Sequence, residues 1–245
     1  HYVGELEEGG LLSRIYRGLE VSSHLEFLEI NPDGYDHIVT GEHRFDIPRG
    51  REPFAARLKA EFPQHAAGID RYLELVQQVS DAIQAGAAAS SLTDLARIGL
   101  RLPGVLWHGC VTVDRVLDRC GLTDPLLRAV LSAQVGNHGV GPDRAPFISH
   151  AVIQGHYFGG AFYPKGGSRS IPAAFIKELR AHGGTIAISS PVARILIEGG
   201  RAVGVRLEDG TEVRADTVVS NADPGVTWGR LVAPEQTPAS MRRKL

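Results

Sequence analysis

The apolar positions of the chain follow a helical period through its middle and a strand period on either side. From about residue 48 to residue 151, apolar residues recur every three or four positions, which predicts a run of helices. The predicted helices cover 51–62, 66–88, 92–100, 112–120, 125–136 and 145–154, with another at 10–18 near the N-terminus. The middle of the chain is therefore expected to be helical.

Three short runs before these helices alternate apolar with polar residues. They cover 25–30, 35–40 and 44–47, and turn residues such as the Asn-Pro-Asp-Gly sequence at 31–34 separate them. Alternation over so few residues is typical of strands that are buried on one face. We therefore expect a small antiparallel sheet in front of the helical region.

The last third of the chain predicts a helix followed by strands. The helix covers 170–182, with Ser168 or Ser170 as its cap, and leads into the run TIAIS at 185–189. A similar run, TVVS, lies at 217–220. Neither run has a strongly polar face, which is typical of parallel strands covered on both sides.

Between these two runs, the sequence predicts an antiparallel meander. Apolar and polar residues alternate over 192–198, 202–207 and 212–214. A Gly-Gly pair at 199–200 and an Asp-Gly pair at 209–210 join the segments, and both pairs favour tight hairpin turns. The unit is therefore strand, three-stranded meander, strand.

A parallel pair of strands joined by a meander resembles the FAD domain of glutathione-reductase-like and amine-oxidase-like flavoproteins. The sequence motifs YPKGGS at 163–168 and VVSNADP at 218–224 are similar to those of the phytoene desaturase group, which includes carotenoid desaturases, prolycopene isomerase and retinol saturase. The resemblance implies a mixed α/β, two-domain flavoprotein of glutathione-reductase-like type, with a partly helical substrate domain and FAD as cofactor.

The resemblance also implies how the chain divides. Residues 1–24 would form a flavin-facing loop and helix of the FAD domain, and 25–158 the substrate domain with its small sheet and helical insertion. Residues 159–224 would return to the FAD domain, and 225–245 would begin the way back to the substrate domain.

The chain begins at His1 and does not contain the G-x-G-x-x-G fingerprint that seats a dinucleotide pyrophosphate on a helix N-terminus. The family carries that fingerprint upstream and a second flavin-contacting segment near its C-terminus. We therefore expect this chain to be the central part of a longer flavoprotein and to be incomplete as an enzyme.

The resemblance assigns two groups of residues to the cofactor. One group would lie beside the flavin ring, where glycine leaves room for a close approach, and the other would meet the adenine through backbone atoms or lie at the carboxyl end of a strand. The residues are Tyr2, Val3 and Gly4 in the first group and Val192, Asn221 and Ala222 in the second. The alternatives are a surface loop, a core valine and a turn that closes the strand.

An aromatic cluster precedes the helix at 170–182. His156, Tyr157, Phe162 and Tyr163 offer large apolar surfaces with polar edges, which suits a polyene lying against a flavin. Plain packing between domains is the alternative for these four residues. No acid, base or nucleophile is assigned, so the catalytic residues are unknown.

Composition excludes several other classes of protein. With 43% apolar residues, 22% charged residues and a formal net charge of −2, the chain has no basic stripe for nucleic acid. Two cysteines give no disulfide framework and suit a reducing, cytoplasmic compartment. A leucine-rich stretch with arginines at 92–107 is either an inward-facing helix or a peripheral contact with a membrane.

Motifs for metal-dependent or hydrolytic chemistry are missing from the sequence. The ten histidines form neither H-E-x-x-H nor H-x-H, and no G-x-S-x-G elbow occurs. The spacing therefore predicts no metal site and no nucleophilic hydrolase, and no specific protein partner is predicted.

These observations favour a FAD-dependent oxidoreductase that acts on C–C or C=C bonds of a lipophilic polyene such as a carotenoid or retinoid, by desaturation, saturation or isomerisation. Two alternatives stay open: an amine-oxidase-type flavoenzyme, and a non-catalytic module that binds lipophilic molecules.

Overall fold

A computed structural model describes residues 2–88 and 111–242 of the chain. The chain divides into two compact units, His1–His182 and Gly183–Leu245. The helix predicted at 92–100 and the candidate membrane contact at 92–107 lie outside the described residues. The domain boundaries implied by the family resemblance stay a prediction.

Helices dominate the first unit, and they lie where apolar spacing predicts them. They are α1 (Leu11–Gly18), α2 (Arg51–Glu61), α3 (Ala66–Ala88), α4 (Val113–Arg119), α5 (Pro125–Ser132), α6 (Phe147–His156) and α7 (Ser170–Ala181). Short 3-10 helices lie at Val21–His24, Pro63–His65 and Ala133–His138. Neither predicted serine caps α7, because Arg169 occupies the N-cap position and the Ser170 hydroxyl donates to Gly167 O.

Two separate strand pairs replace the single small sheet that the sequence predicts. Strand β2 (Asp36–Thr40) forms a hairpin with β3 (His43–Ile47), as expected from the turn between them. Strand β1 (Phe27–Glu29) instead pairs antiparallel with β4 (Phe162–Pro164), which the apolar pattern does not predict. The prediction was wrong here because a partner so distant along the chain leaves no local signal.

The core of the first unit forms where α3 lies along α6. Tyr72 of α3 and Phe147 of α6 are fully buried, with their rings edge to face at 5.9 Å. Each fully buried aromatic side chain of this kind contributes on the order of 2–3 kcal/mol of apolar burial. The surrounding side chains are aliphatic and buried as well: Leu58, Ile69, Leu73, Leu117, Leu122, Leu127 and Leu131.

One polar network crosses this core. His150 Nε2 lies 3.0 Å from Leu131 O and 2.8 Å from the Tyr72 hydroxyl, which in turn donates to Gln154 Oε1 at 3.0 Å. Burial lowers the pKa of His150 to about 4; the Leu131 carbonyl opposes this effect and nearby His138 adds to it. The imidazole is therefore neutral at pH 7, with Nε2–H as its donor.

The second unit contains the predicted meander. Strands β5 (Val192–Glu198), β6 (Arg201–Leu207) and β7 (Glu212–Arg214) form an antiparallel sheet in that order. The turn glycines Gly199, Gly200 and Gly210 have φ angles of +56°, +78° and +89°, which side chains disfavour. The chain continues through α8 (Pro224–Val226), a π turn at Thr227–Leu231, a 3-10 turn at Pro234–Gln236 and α9 (Ala239–Arg242).

The two runs predicted as parallel strands are not strands in the structure. Residues 185–189 and 217–220 are irregular, and Ile188 and Val219 are 82% and 88% exposed. A strand exists only through hydrogen bonds to a neighbour, and neither run pairs with a described strand. The prediction of strands here was wrong, because β-branched composition does not form a strand unless a neighbouring strand supplies hydrogen bonds.

In the part of the chain that the structure describes, no helix combines the length and the apolar character needed to cross a membrane.

Candidate functional site

The N-terminal loop is fastened to strand β4 by backbone hydrogen bonds. Val3 N–H donates to Phe162 O at 2.8 Å, and Phe162 N–H donates to Val3 O at 2.7 Å. This exchange is an isolated antiparallel bridge. A residue predicted to face the flavin is thus joined directly to a residue predicted to face the substrate.

Gly4 makes the second connection, to the end of helix α6. Its N–H donates to His156 Nε2 at 3.0 Å, so a neutral His156 carries its proton on Nδ1, which lies 3.5 Å from a carboxylate oxygen of Glu5. A Cβ on Gly4 would lie 2.3 Å from His156 O. The glycine is therefore required for the close approach of the α6 backbone. That Gly4 also makes room for a flavin ring stays a prediction.

Three tyrosine rings meet beside this loop. The centroids of Tyr2 and Tyr157 are 5.0 Å apart, those of Tyr2 and Tyr35 are 5.7 Å apart, and those of Tyr35 and Tyr157 are 6.1 Å apart. We call these residues the tyrosine cluster. Edge-to-face contacts of this kind hold rings in fixed orientations.

A polar network supports the tyrosine cluster from one side. The Tyr2 hydroxyl donates to Asp36 Oδ2, and Gln134 Nε2 lies 3.1 Å from both of those oxygens. Asn137 Nδ2 in turn donates to Gln134 Oε1 at 2.7 Å, which fixes the orientation of that amide. The carboxylate of Asp36 thus anchors Tyr2 in one position.

The phenols of the tyrosine cluster remain protonated at neutral pH. Burial, followed by the hydrogen bond with Asp36, raises the pKa of Tyr2. Burial is also the main cause that raises the pKa of Tyr35 and of Tyr157. These groups can therefore present aromatic surface and donate hydrogen bonds, but they do not supply a base.

The structure thus brings together Tyr2, Val3, Gly4, His156, Tyr157 and Phe162 from the sequence-predicted set. Tyr163 is 42% exposed, because successive residues of β4 face opposite sides. Sequence reasoning missed Tyr35, Asp36 and Gln134. Asp36 at the start of an alternating strand, next to an aromatic residue, is the only signal that could have pointed to them.

In the second unit, the backbone of Val192 faces an open sheet edge. Glu208 N–H donates to Pro191 O at 3.0 Å, so these two residues form a hydrogen-bonded pair. Hydrogen-bonded and non-hydrogen-bonded pairs alternate in an antiparallel ladder, so the next pair, Val192 and Leu207, is of the second kind. Consistently, Leu207 N–H donates to Thr211 O on the opposite side. The N–H and C=O of Val192 therefore point away from β6.

A pocket of about 420 Å³ lies beside Val192 and also has Asn221 and Ala222 in its wall. Its apolar lining includes Ile195 and Leu231, both buried. A flat, mostly apolar heterocycle with a hydrogen-bonding edge, such as adenine, matches an apolar wall next to a free backbone donor and acceptor. The residues present in this unit therefore fit that part of FAD.

A family model described as "Flavin containing amine oxidoreductase" matches residues 118–244, just over half of the chain. The chain belongs to this family. Membership confirms the sequence-based resemblance to amine-oxidase-like flavoproteins and implies a flavin-containing oxidoreductase.

Two relatives place the chain more closely within the family. It is 31% identical over 247 residues to the all-trans-retinol 13,14-reductase of Macaca fascicularis, which covers 95% of this chain and 40% of that protein. It is 37% identical over 122 residues to the zeta-carotene-forming phytoene desaturase of Myxococcus xanthus, covering 50% of this chain and 24% of that protein. The chain thus spans about 40% of the length of the reductase.

An oxidoreductase from Methanosarcina mazei shares the fold. Its crystal structure superposes with a TM-score of 0.57 at 17% identity, covering 93% of this chain and 47% of that one. This likeness supports the mixed α/β fold.

Proposed function

We propose that the protein containing this chain is a FAD-dependent oxidoreductase that acts on C–C or C=C bonds of a lipophilic polyene. The two relatives act, by their names, on all-trans-retinol and on a carotene precursor, and both substrates are extended apolar molecules. Desaturation, saturation and isomerisation of such a molecule are the reactions within this proposal.

The observation that carries the proposal is the junction of the N-terminal loop with residues 156–162. Val3 and Gly4, assigned to the flavin, are hydrogen-bonded to Phe162 and His156, assigned to the substrate. Residues proposed for the cofactor are thereby held next to residues proposed for the substrate, which supports the proposal.

The chain's own residues would orient the polyene and exclude water from it. The tyrosine cluster offers aromatic surface, and its hydroxyls stay protonated and uncharged beside an apolar substrate. Bound flavin would supply the hydride acceptor or donor at N5. Desaturation or saturation also moves one proton for each hydride, and no residue of the chain is assigned as its donor or acceptor.

Residues of each unit are proposed for separate parts of FAD. Tyr2, Val3 and Gly4 would lie near the isoalloxazine ring. The Val192 backbone would pair with the adenine edge, beside Asn221 and Ala222. The open edge at Val192 and its neighbouring pocket support the second assignment.

The test uses the full-length protein and the visible spectrum of its flavin. Under anaerobic conditions, a polyene with some saturated C–C bonds should bleach the oxidised flavin if the enzyme desaturates. A fully conjugated polyene should instead restore the colour of chemically reduced flavin if the enzyme saturates. Either result, with the polyene product identified by mass spectrometry, supports the proposal.

Two other results would reject it. Bleaching by a primary amine, with no response to any polyene, would make the protein an amine oxidase. Absence of flavin in a protein that still binds retinol would leave a non-catalytic binding module.

A further inference from the structure

Two Glu-x-x-x-His segments lie next to each other in the first unit. Glu20 and His24 bracket the 3-10 helix Val21–His24, and Glu178 and His182 lie one turn apart at the C-terminal end of α7. Each segment offers one carboxylate and one imidazole, and in α7 the two lie on the same side of the helix. Neither H-E-x-x-H nor H-x-H describes this pattern, because each histidine has its carboxylate partner four residues before it.

The donor atoms of the two segments converge. His182 Nε2 lies 3.2 Å from Glu20 Oε2 and 3.8 Å from Glu178 Oε2, and donor atoms of these three residues all lie within 4.8 Å of one another. His24 Nε2 is in direct contact with Oε1 of Glu178. Metal bonds of about 2.0–2.2 Å in a tetrahedron require donors roughly 3.3–3.6 Å apart. The separations of His182 from Glu20 and from Glu178 bracket that requirement, whereas the contact between His24 and Glu178 has to open before both side chains can bind the same ion.

The two segments are held together without any metal. Tyr16 of α1 stacks on Phe27 at 6.0 Å and meets Phe175 of α7 edge to face at 5.8 Å. The carboxylates therefore lie close together because of packing. Glu20 adopts a left-handed backbone conformation with φ of +61°, where the chain turns from α1 into the 3-10 helix.

The charges around the cluster favour a cation. Two carboxylates face each other, and the C-terminal end of α7 adds the negative end of a helix dipole. Lys177 Nζ, 3.2 Å from His24 Nδ1, is the positive group in contact with the cluster. His24 and Glu178 are largely shielded, with side chains 20% and 18% exposed, whereas Glu20 and His182 are open to solvent. A cation could therefore enter from the open side.

We propose that Glu20, Glu178 and His182, joined by His24 once its imidazole turns away from Glu178, form a binding site for a divalent transition-metal ion, with Zn²⁺ as the best match. Two imidazoles with carboxylate oxygens suit Zn²⁺, Co²⁺ and Ni²⁺, whereas Mg²⁺ prefers an all-oxygen shell. The bound ion links the turn after α1 to the end of α7. It takes no part in the flavin chemistry.

The test is a titration of chelator-treated full-length protein with zinc sulfate, followed by calorimetry. Wild type should bind one equivalent of Zn²⁺ much more tightly than Mg²⁺. His24→Ala and His182→Ala should each weaken Zn²⁺ binding at least about tenfold, since even residues that only support a ligand cost that much. The visible absorption of bound Co²⁺ should lose intensity in the same variants.

His43→Ala is the matched control, because His43 lies 2.8 Å from Glu61 in a single imidazole–carboxylate pair. Its Zn²⁺ affinity should equal that of wild type, and the circular dichroism of all variants should be unchanged. Equal zinc affinity in wild type, His24→Ala and His182→Ala would overturn the proposal, as would zinc binding no tighter than magnesium binding. Affinity that falls in His43→Ala alone would place the ion elsewhere.

Discussion

At the scale of single residues, Gly4 shows a constraint set by one missing atom. A Cβ there would lie 2.3 Å from His156 O, and that carbonyl belongs to the backbone of α6 and cannot turn aside. We expect Gly4→Ala to destabilise the protein by about 1–3 kcal/mol, as overpacking usually does. Urea unfolding measures the change. Gly18→Ala, where nothing lies within 4 Å, should be neutral or slightly stabilising.

Val192 provides a test of the cofactor assignment. Its N–H points to an open sheet edge, where proline is tolerated, so Val192→Pro should remove the donor and leave the sheet intact. The full-length variant should therefore retain less FAD than wild type after gel filtration, and Val192→Ile should retain the same amount. Equal flavin content in all three proteins would show that this backbone does not meet the cofactor.

His150 predicts how stability depends on pH. On folding, the pKa of the His150 imidazole falls from 6.5 to about 4. Between these two pH values the unfolded chain therefore binds one more proton than the folded chain. The contribution of neutral His150 to the free energy of unfolding is present in full above pH 6.5 and is lost as the pH falls toward 4. Between pH 7 and pH 5 the free energy of unfolding should fall by about 2 kcal/mol for this reason.

Replacing His150 by phenylalanine should make the protein less stable at pH 7, since the Tyr72 hydroxyl and Leu131 O lose a partner. The same replacement should flatten the pH dependence by the amount that His150 contributes. Urea midpoints at pH 7 and pH 5 for both proteins measure this; an unchanged slope would mean that His150 does not titrate as its burial implies.

At the scale of elements, helix α5 depends on its cap. Asp124 accepts hydrogen bonds from the N–H groups of Leu126 and Leu127 at 2.9 and 3.0 Å. Asp124→Ala should therefore lower the free energy of unfolding by about 1 kcal/mol. Thr112 occupies the same position before α4 without a side-chain bond, so Thr112→Ala should cost distinctly less. Similar losses in thermal unfolding of the two variants would contradict the capping role of Asp124.

The sequence predicts elements well where their stabilising contacts are local. Helix α3 begins where its apolar spacing predicts, and the β5–β7 meander follows its two glycine turns. The pairing of β1 with β4 was missed, because three residues of alternation do not specify a partner on the far side of a helical region.

The candidate site shows the same division. Val3 and Gly4 could be found because the family resemblance assigns them to the cofactor, and His156 because it belongs to an aromatic cluster in the sequence. Asp36 and Gln134 belong to no recognised family motif. They acquire a role only through the fold, which places both beside the Tyr2 hydroxyl. Long-range side-chain contacts of this kind have no counterpart in local spacing.

At the scale of the whole molecule, the irregular runs at 185–189 and 217–220 expose apolar side chains. Ile188 and Val219 are 82% and 88% exposed, and neither run is paired with a described strand. We expect the 245-residue chain on its own to self-associate in light scattering. Ile188→Lys with Val219→Lys should reduce that association.

Val39→Lys is the control for this experiment, since Val39 is 65% exposed but lies within a paired hairpin strand. It should leave the association unchanged. A monomeric wild-type chain, or an equal effect of all three lysines, would show that the two runs are not the adhesive surfaces.

The pairing of β1 with β4 also bears on how this kind of protein can diversify. Ile30 N–H donates to Ala161 O at 2.8 Å, so the chain leaves the strand pair and returns to it at the same place. The segment between these two residues is therefore an insertion whose two ends lie side by side at the strand pair, and such segments tolerate replacement well. New helices could be exchanged there to suit a differently shaped substrate, while the Val3–Phe162 junction that they serve keeps its geometry.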